Sequence, residues 1–131
     1  MGIAANGHAQ PCFSHLAGLG PIDQKNGFPE YYIDSNDVSA GQCLDLGCNP
    51  GLPIPDPSRP ISFPDNFPVE FFYLRAVSRF DGPPPFNARY TAALEGSFGN
   101  GLVPLVGDQV VFTRIRIRIA PLIPFAVYTM P

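Results

Sequence analysis

The clearest pattern in the chain is a strict two-residue alternation of apolar and charged side chains over residues 107–120. Because successive side chains of a β-strand point to opposite faces, this stretch is predicted to be a strand and the spine of a sheet. Its β-branched side would face the core, and its arginine side would be solvated or paired with acidic groups. The two predicted faces are Val111, Thr113, Ile115, Ile117 and Ile119 on the inner side and Phe112, Arg114, Arg116 and Arg118 on the outer side.

A second strand is predicted over residues 69–80, where both alternating faces carry apolar or aromatic side chains. A strand that is apolar on both sides is typical of the middle of a sheet, so we expect it to be central. Its first face would contain Phe72, Leu74, Ala76 and Phe80. Shorter strands are predicted over residues 30–34 and 125–130.

The stretch 87–98 has a different spacing. Tyr90, Leu94 and Phe98 recur at four-residue intervals, Asn87 is a good N-cap, and Asn100 with Gly101 supplies a stop. This combination predicts one short amphipathic helix that packs against the sheet.

Prolines dominate residues 49–68, where seven of them occur. Each proline lacks a backbone donor and biases the preceding residue toward extended geometry, so no regular ladder is expected there. The segment is predicted to be a long surface strap with polyproline character, pinned by phenylalanines such as Phe63 and Phe67. A proline-rich ligand for an aromatic groove is the functional alternative.

These elements predict a mainly β, single-domain sandwich or barrel with one short helix and a proline-rich strap. Residues 1–20 are glycine-rich without periodicity and are expected to form an irregular arm, and residues 21–131 would form the β-rich domain, which could continue in a longer parent chain. With 45% hydrophobic residues but 17 prolines and 13 glycines, the 131-residue chain is expected to be folded and rich in loops.

Charge and hydropathy exclude several partners. The formal net charge is −3 and only 15% of residues are charged, so nucleic acid is not expected. The longest apolar run is far shorter than the roughly 18 residues that a membrane span needs, so membrane insertion is not expected either. No residue pattern calls for a cofactor.

The three cysteines are Cys12, Cys43 and Cys48. A disulfide between Cys43 and Cys48 would close a short loop with ordinary geometry and leave Cys12 single. A zinc site built from Cys12, His15, Cys43 and Cys48 has suitable ligand types, but its spacing matches no common zinc pattern. The disulfide is therefore the favoured interpretation.

Enzymatic motifs are missing from the sequence, which contains no Gly-x-Ser-x-Gly elbow, no glycine-rich phosphate loop and no His-Glu-x-x-His. Glu70, Glu95 and Asp108 could supply paired carboxylates, but nothing in the sequence brings them together. The sequence therefore favours a non-enzymatic protein.

Several short segments form a further pattern when they are taken in order. They are Gly-Pro-Ile-Asp and Gly-Phe-Pro-Glu-Tyr-Tyr-Ile-Asp-Ser-Asn (20–36), Cys-Leu-Asp (43–45) with Cys48, Phe-Pro-Asp-Asn-Phe-Pro (63–68), Ala-Leu-Glu (93–95) with Phe98, and the alternating segment that begins at Gly107. Together they resemble a module of uncharacterised secreted or cell-surface microbial proteins. The resemblance implies an extracellular or cell-surface location and an exported parent chain, and it brings no assigned activity. Asp37 stands where the pattern favours glycine.

Two non-enzymatic functions are expected from these features. The first is a structural or assembly module of a surface protein, and the alternative is an adhesive module that binds carbohydrate or protein through Tyr31, Tyr32 and Tyr73. The arginine row 114, 116 and 118 would be either a solvated face or an interface or anion-binding surface. In the second case the partner would be another copy of the chain, another surface protein or a glycan.

Overall fold

The computed structural model describes residues 14–49, 51–82, 86–101 and 103–127. Six strands form two three-stranded antiparallel sheets, and this part of the chain contains no helix. The prediction of a mainly β, sandwich-like protein is therefore confirmed. Residues 128–130 of the strand predicted at 125–130 lie outside the described residues, and residues 125–127 are not in a strand.

The first sheet is small. It contains β1 (Leu16–Leu19), β2 (Tyr31–Asp34) and β3 (Ser39–Gly41), in the order β1-β2-β3. Residues 1–13 of the predicted arm lie outside the described residues, and the arm's later part supplies β1. The turn after β2 includes Asp37 with φ 61°, a left-handed conformation that glycine adopts more easily.

The second sheet is much longer. It contains β4 (Glu70–Asp81), β5 (Asn87–Phe98) and β6 (Gln109–Ala120), each 12 residues long, in the order β4-β5-β6. At 3.3 Å per residue these strands span about 40 Å, whereas a four-residue strand spans about 13 Å. The first sheet can therefore cover only one end of the second.

The core lies at that covered end and consists mainly of phenylalanine rings. Phe28, in the loop between β1 and β2, is fully buried. Its ring centroid lies 4.9 Å from that of Phe71 and 5.5 Å from that of Phe98, both in edge-to-face geometry, and 5.9 Å from that of Phe67 in a stacked arrangement. These rings join the loop, the segment before β4 and the second sheet into one cluster.

Gly96 on β5 allows this packing. It pairs with Phe71 on β4, and a Cβ atom at Gly96 would overlap the Phe71 ring. The aromatic ring therefore lies across the backbone of β5 at a position that only glycine can occupy without a shift of the ring.

The prediction of a helix at 87–98 is wrong, because this segment is β5, the central strand of the second sheet. Four is a multiple of two, so Tyr90, Leu94 and Phe98 share one face of a strand as well as one face of a helix. Pairing with β4 on one side and β6 on the other satisfies the backbone hydrogen-bonding groups of β5, so the segment is a strand and not a helix.

The prediction that residues 69–80 form a central strand is also wrong, because β4 is an edge strand. The register shifts between Phe72 and Leu74, which is the signature of a β-bulge. The extra residue reverses the alternation, so Phe71 and Leu74 lie on one face while Phe72 and Arg75 lie on the other. A simple two-residue alternation ignores this bulge, so it distributes the apolar side chains of β4 over both faces.

The predicted inner face of β6 is only partly buried. Ile115 is 69% exposed and Ile117 is 43% exposed, so the inward packing predicted for them is wrong. Both residues lie in the half of the long sheet that the short first sheet does not reach. The strand itself is confirmed, but β6 is an edge strand and not the predicted spine of the sheet.

The proline-rich segment does not form the predicted surface strap. Its described residues fold into successive turns, and the buried amide of Asn66 holds them together by accepting from the Asp56 N–H (2.7 Å) and donating to the Pro60 carbonyl (3.0 Å). Phe67 and Pro68 are buried, so Phe67 anchors the end of the segment in the core. Residues 51–65 stay exposed or partly exposed, and the segment enters the core at residues 66–68.

Candidate functional site: an arginine-lined sheet face

One face of the second sheet gathers six of the seven arginines of the chain. Side chains at directly paired positions of antiparallel strands point to the same side, so the register identifies the members of this face. We call it the arginine face; its charged residues are Arg75, Arg79, Arg89, Arg114, Arg116 and Arg118 with Glu70, Asp81 and Glu95.

The sequence located only part of this face. The alternation in β6 correctly places its three arginines on one side of a strand. It does not show that Arg75, Arg79 and Arg89 of the other two strands lie beside them. Arg89 was assigned to a helix, and the bulge in β4 obscured the side on which Arg75 lies. If residues 87–98 form a strand, Arg89, Thr91 and Ala93 lie on the same face of it.

Glu95 is a buried carboxylate at one end of the arginine face. Its side chain is only 2% exposed, and its Oε2 lies 2.9 Å from Nη2 of Arg114. The same nitrogen donates a hydrogen bond to Oε2 of Glu70 at 3.3 Å, so the contact with Glu95 is an ion pair without a directed hydrogen bond. Arg114 therefore holds two carboxylates together.

Two arginine–phenylalanine contacts flank Glu95. The guanidinium of Arg114 lies 5.3 Å from the ring centroid of Phe112, and that of Arg75 lies 5.4 Å from the ring centroid of Phe72. Phe72 and Phe112 are the residues paired with Glu95 on the two neighbouring strands. Aromatic rings and their stacked cations thus cover the carboxylate.

Burial raises the pKa of Glu95 above its usual range. The neighbouring Glu70 carboxylate adds to the rise, and the guanidinium of Arg114 opposes it. The folded protein therefore binds a proton at Glu95 at a higher pH than the unfolded chain does.

This difference predicts that the protein gains stability as the pH falls from 7 toward 4.5, the ordinary pKa of the group, because the folded state holds the extra proton in that interval. In Glu95→Gln this gain should shrink, because the amide does not titrate. Urea denaturation at several pH values measures the free energy of unfolding and therefore the size of this gain. Glu30→Gln, which removes an exposed carboxylate just before β2, should keep the wild-type dependence. Equal dependence in the wild type and Glu95→Gln would contradict the prediction.

The other end of the arginine face carries positive charge without partners. Arg79, Arg89 and Arg118 pair directly across the three strands, and none of them forms an ion pair with a carboxylate of the described residues. Like charges at directly opposite positions destabilise a sheet. Nε of Arg89 is in addition buried without a hydrogen-bond acceptor.

A depression of about 180 Å³ lies on this face. Its lining includes the unpaired arginines around Thr91 as well as the ion-paired end; the residues are Glu70, Phe72, Arg75, Arg89, Thr91, Glu95, Arg114, Arg116 and Arg118. The face therefore combines a concave surface with an excess of cationic donors, an arrangement suited to holding an anion.

The carboxylates considered for catalysis do not form one group. Glu70 and Glu95 meet at Arg114, whereas the Asp108 carboxylate accepts a hydrogen bond from the N–H of Asn100 (3.2 Å) in the loop between β5 and β6. The shared guanidinium occupies the space between Glu70 and Glu95. This arrangement is that of a structural ion-pair cluster.

Cys43 and Cys48 lie together as a bonded pair with a Cα–Cα distance of 5.8 Å. Asp45 shapes the loop by accepting hydrogen bonds from the N–H groups of Gly47 and Cys48, and its carboxylate lies within 4.8 Å of both sulfur atoms. His15 is not part of this group, and Cys12 lies outside the described residues. Of the four ligands in the zinc alternative, only Cys43 and Cys48 lie together in the part of the chain that the structure describes.

The three tyrosines of the proposed platform are in different environments. Tyr31 is partly exposed, whereas Tyr73 is buried and its hydroxyl donates to the Pro29 carbonyl at 2.6 Å. Burial raises the pKa of Tyr73 above its usual range. The Tyr32 ring lies edge-on to the Tyr73 ring with centroids 5.0 Å apart. Tyr73 therefore belongs to the core, and Tyr31 carries most of the exposed aromatic surface.

No protein-family model, curated protein or solved structure matches this chain. Over the described residues, no helix has the length and apolar character that crossing a membrane requires. The resemblance to a surface-protein module therefore stays a prediction.

Proposed function

We propose that the protein is a non-enzymatic structural or assembly module of the extracellular space or cell surface, and that it associates with a second copy of itself. The observation that carries the proposal is the uncovered apolar half of the second sheet, on the side opposite the arginine face. We call this surface the apolar overhang; it consists of Leu74, Ala76, Phe80, Tyr90, Ala92, Ile115 and Ile117.

The apolar overhang has the character of a sheet face that lacks its second layer. Phe80 is 60% exposed and Leu74 is 57% exposed, in addition to the isoleucines of β6. In a β-sandwich such side chains interdigitate with those of a facing sheet about 10 Å away. Water contact for a contiguous group of large apolar side chains is unfavourable and is typical of association surfaces.

A second copy is the partner that fits this surface best. The apolar overhang contains no charged side chain, because the sheet's arginines lie on the opposite face. Two overhangs can therefore meet about a two-fold axis without like-charge repulsion, and each copy supplies the layer that the other lacks. The segment after β6 exposes further apolar residues, among them Leu122, Phe125 and Val127, which can extend the contact toward the roughly 800 Å² per partner of a stable interface.

The cysteine pair supports the proposed location. Cys43 and Cys48 lie close enough for a disulfide, and structural disulfides persist mainly in oxidising compartments. The adhesive alternative would depend on Tyr31, with Tyr32 beside it, since Tyr73 is buried. A single exposed tyrosine is a small platform, so assembly is the stronger proposal.

Sedimentation velocity over a range of protein concentrations tests the proposal. We expect the wild type to form dimers, and Ile115→Glu to raise the dissociation constant by about 100-fold or more, since an unpaired buried charge costs several kcal/mol and occurs twice in a two-fold interface. Ile115 is 69% exposed in the single copy, so its replacement leaves the fold intact.

Arg116→Glu is the matched control. It introduces the same side chain at the next position of β6 but on the arginine face, so it should dimerise like the wild type. A wild type that stays monomeric at high concentration would contradict the proposal. Loss of association in Arg116→Glu but not in Ile115→Glu would instead move the interface to the arginine face.

A further inference from the structure

We propose that the depression around Thr91 binds one tetrahedral oxyanion, a phosphate or a sulfate, either free or as a monoester on a larger molecule. The proposal does not depend on self-association, because the depression lies on the arginine face and the apolar overhang lies on the opposite side of the same strands.

The register brings three cationic side chains around a small central residue. Thr91 lies in the middle of β5, and Arg116 is its direct partner on β6. Arg89 precedes Thr91 by two residues, so it lies on the same face of β5, and it pairs with Arg118 on β6. All of these residues line the depression, and the threonine leaves space between the longer side chains.

The chemistry of these side chains selects the class of ligand. A guanidinium presents its N–H groups in a planar fork that fits two oxygens of a phosphate or sulfate at once. The threonine hydroxyl adds a donor at the centre. With about 180 Å³, the depression suits a compact ion rather than a larger organic ligand, which needs roughly 300–1,000 Å³.

An independent observation points to a missing acceptor. Nε of Arg89 is buried and has no hydrogen-bond partner, although buried donors are almost always paired. The cross-strand row of Arg79, Arg89 and Arg118 also has no carboxylate partner among the residues that the structure describes. An oxyanion in the depression would supply an acceptor for Arg89 and reduce the repulsion within the row.

The acidic residues of the same face do not prevent binding. Glu70 and Glu95 line the depression at the end away from Arg89 and Arg118, and Asp81, the third carboxylate of the face, does not line it. Glu95 and Glu70 are in addition both in contact with Arg114, so their charge is partly compensated.

Isothermal titration calorimetry with inorganic phosphate and with sodium sulfate tests the site, with chloride used to keep the ionic strength constant. We expect saturable binding of one ion per chain, weakened about tenfold or more in Arg89→Gln and in Arg116→Gln, each of which removes a charged donor. Arg116 is exposed, so its variant folds even if Arg89→Gln does not. Arg59→Gln removes the same charge from an exposed turn outside the face and should bind like the wild type.

Dextran sulfate and neutral dextran distinguish the two sources of the oxyanion. Tighter binding of dextran sulfate than of free sulfate, with the same loss in Arg116→Gln, would support an ester on a polymer as the source. Comparable affinity would support the free ion. Two results would overturn the proposal: no saturable binding of either free ion, whether or not dextran sulfate binds, or equal weakening in Arg59→Gln and Arg116→Gln.

Discussion

Phe28→Ala is expected to reduce the free energy of unfolding by about 3–5 kcal/mol, a large part of the 5–15 kcal/mol that stabilises a typical domain. The Phe28 ring is fully buried and contacts the rings of Phe67, Phe71 and Phe98. It connects the loop after β1 to the long sheet, so its removal leaves a cavity where the two sheets meet. Urea denaturation followed by circular dichroism measures the loss.

Phe80→Ala is the matched control, because it removes the same ring from the other end of the sheet. Phe80 is 60% exposed, and its ring contact is with Phe86 at 6.1 Å between centroids. We expect it to cost less than about 1 kcal/mol when both variants are measured well below the concentration at which the protein associates. Similar losses in the two variants would show that the core does not lie at the end covered by the first sheet.

Asn26→Asp is expected to destabilise the protein by about 3 kcal/mol or more at pH 7, although the change replaces only an amide nitrogen by oxygen. The buried Asn26 amide donates to Oδ2 of Asp23 (3.0 Å) and to Oε1 of Gln42 (2.7 Å), and its oxygen accepts from the N–H of Phe28 (2.9 Å). In the variant, an ionised carboxylate would face two acceptors, one of them a carboxylate.

The loss in Asn26→Asp should become smaller as the pH falls. Burial beside Asp23 raises the pKa of the introduced carboxyl, and its protonated form can again donate one hydrogen bond. Thermal unfolding of the variant and the wild type at pH 7 and pH 5 measures the difference. Asn36→Asp, in the exposed turn after β2, should stay within about 0.5 kcal/mol of the wild type. An Asn26→Asp variant as stable as the wild type at pH 7 would show that these hydrogen bonds contribute little.

The sequence predicts the strands whose pattern fits one period only. In β6, charged and β-branched residues alternate without interruption, so no helix could separate them into two faces. β2 was predicted from its tyrosines and the turn residues that follow. The pattern of β5 is ambiguous because its apolar residues are four positions apart, a spacing that fits both a strand and a helix, and only its pairing partners decide between them.

Features that depend on distant residues were not predictable in this way. The bulge at Phe72–Leu74 changes the face of every later residue of β4, and it becomes visible only in the register with β5. The burial of Phe28 depends on contacts with Phe67 and Phe98, which are far away in the sequence. The arginine face was found in part because β6 alone contributes three of its arginines, while the other three required the order of the strands.

The difference in length between the two sheets also divides the long strands into regions of unequal opening free energy. Backbone amides near Gly96 and Phe71 lie under the phenylalanine core, so they exchange with solvent deuterium only when that core opens. Amides near Ala88 on β5 and Ile117 on β6 have the same kind of ladder hydrogen bonds but no apolar layer above them, so they open in smaller fluctuations. A single strand such as β5 thus belongs to two cooperative units. The weaker unit would gain protection only when a second molecule supplies its missing layer.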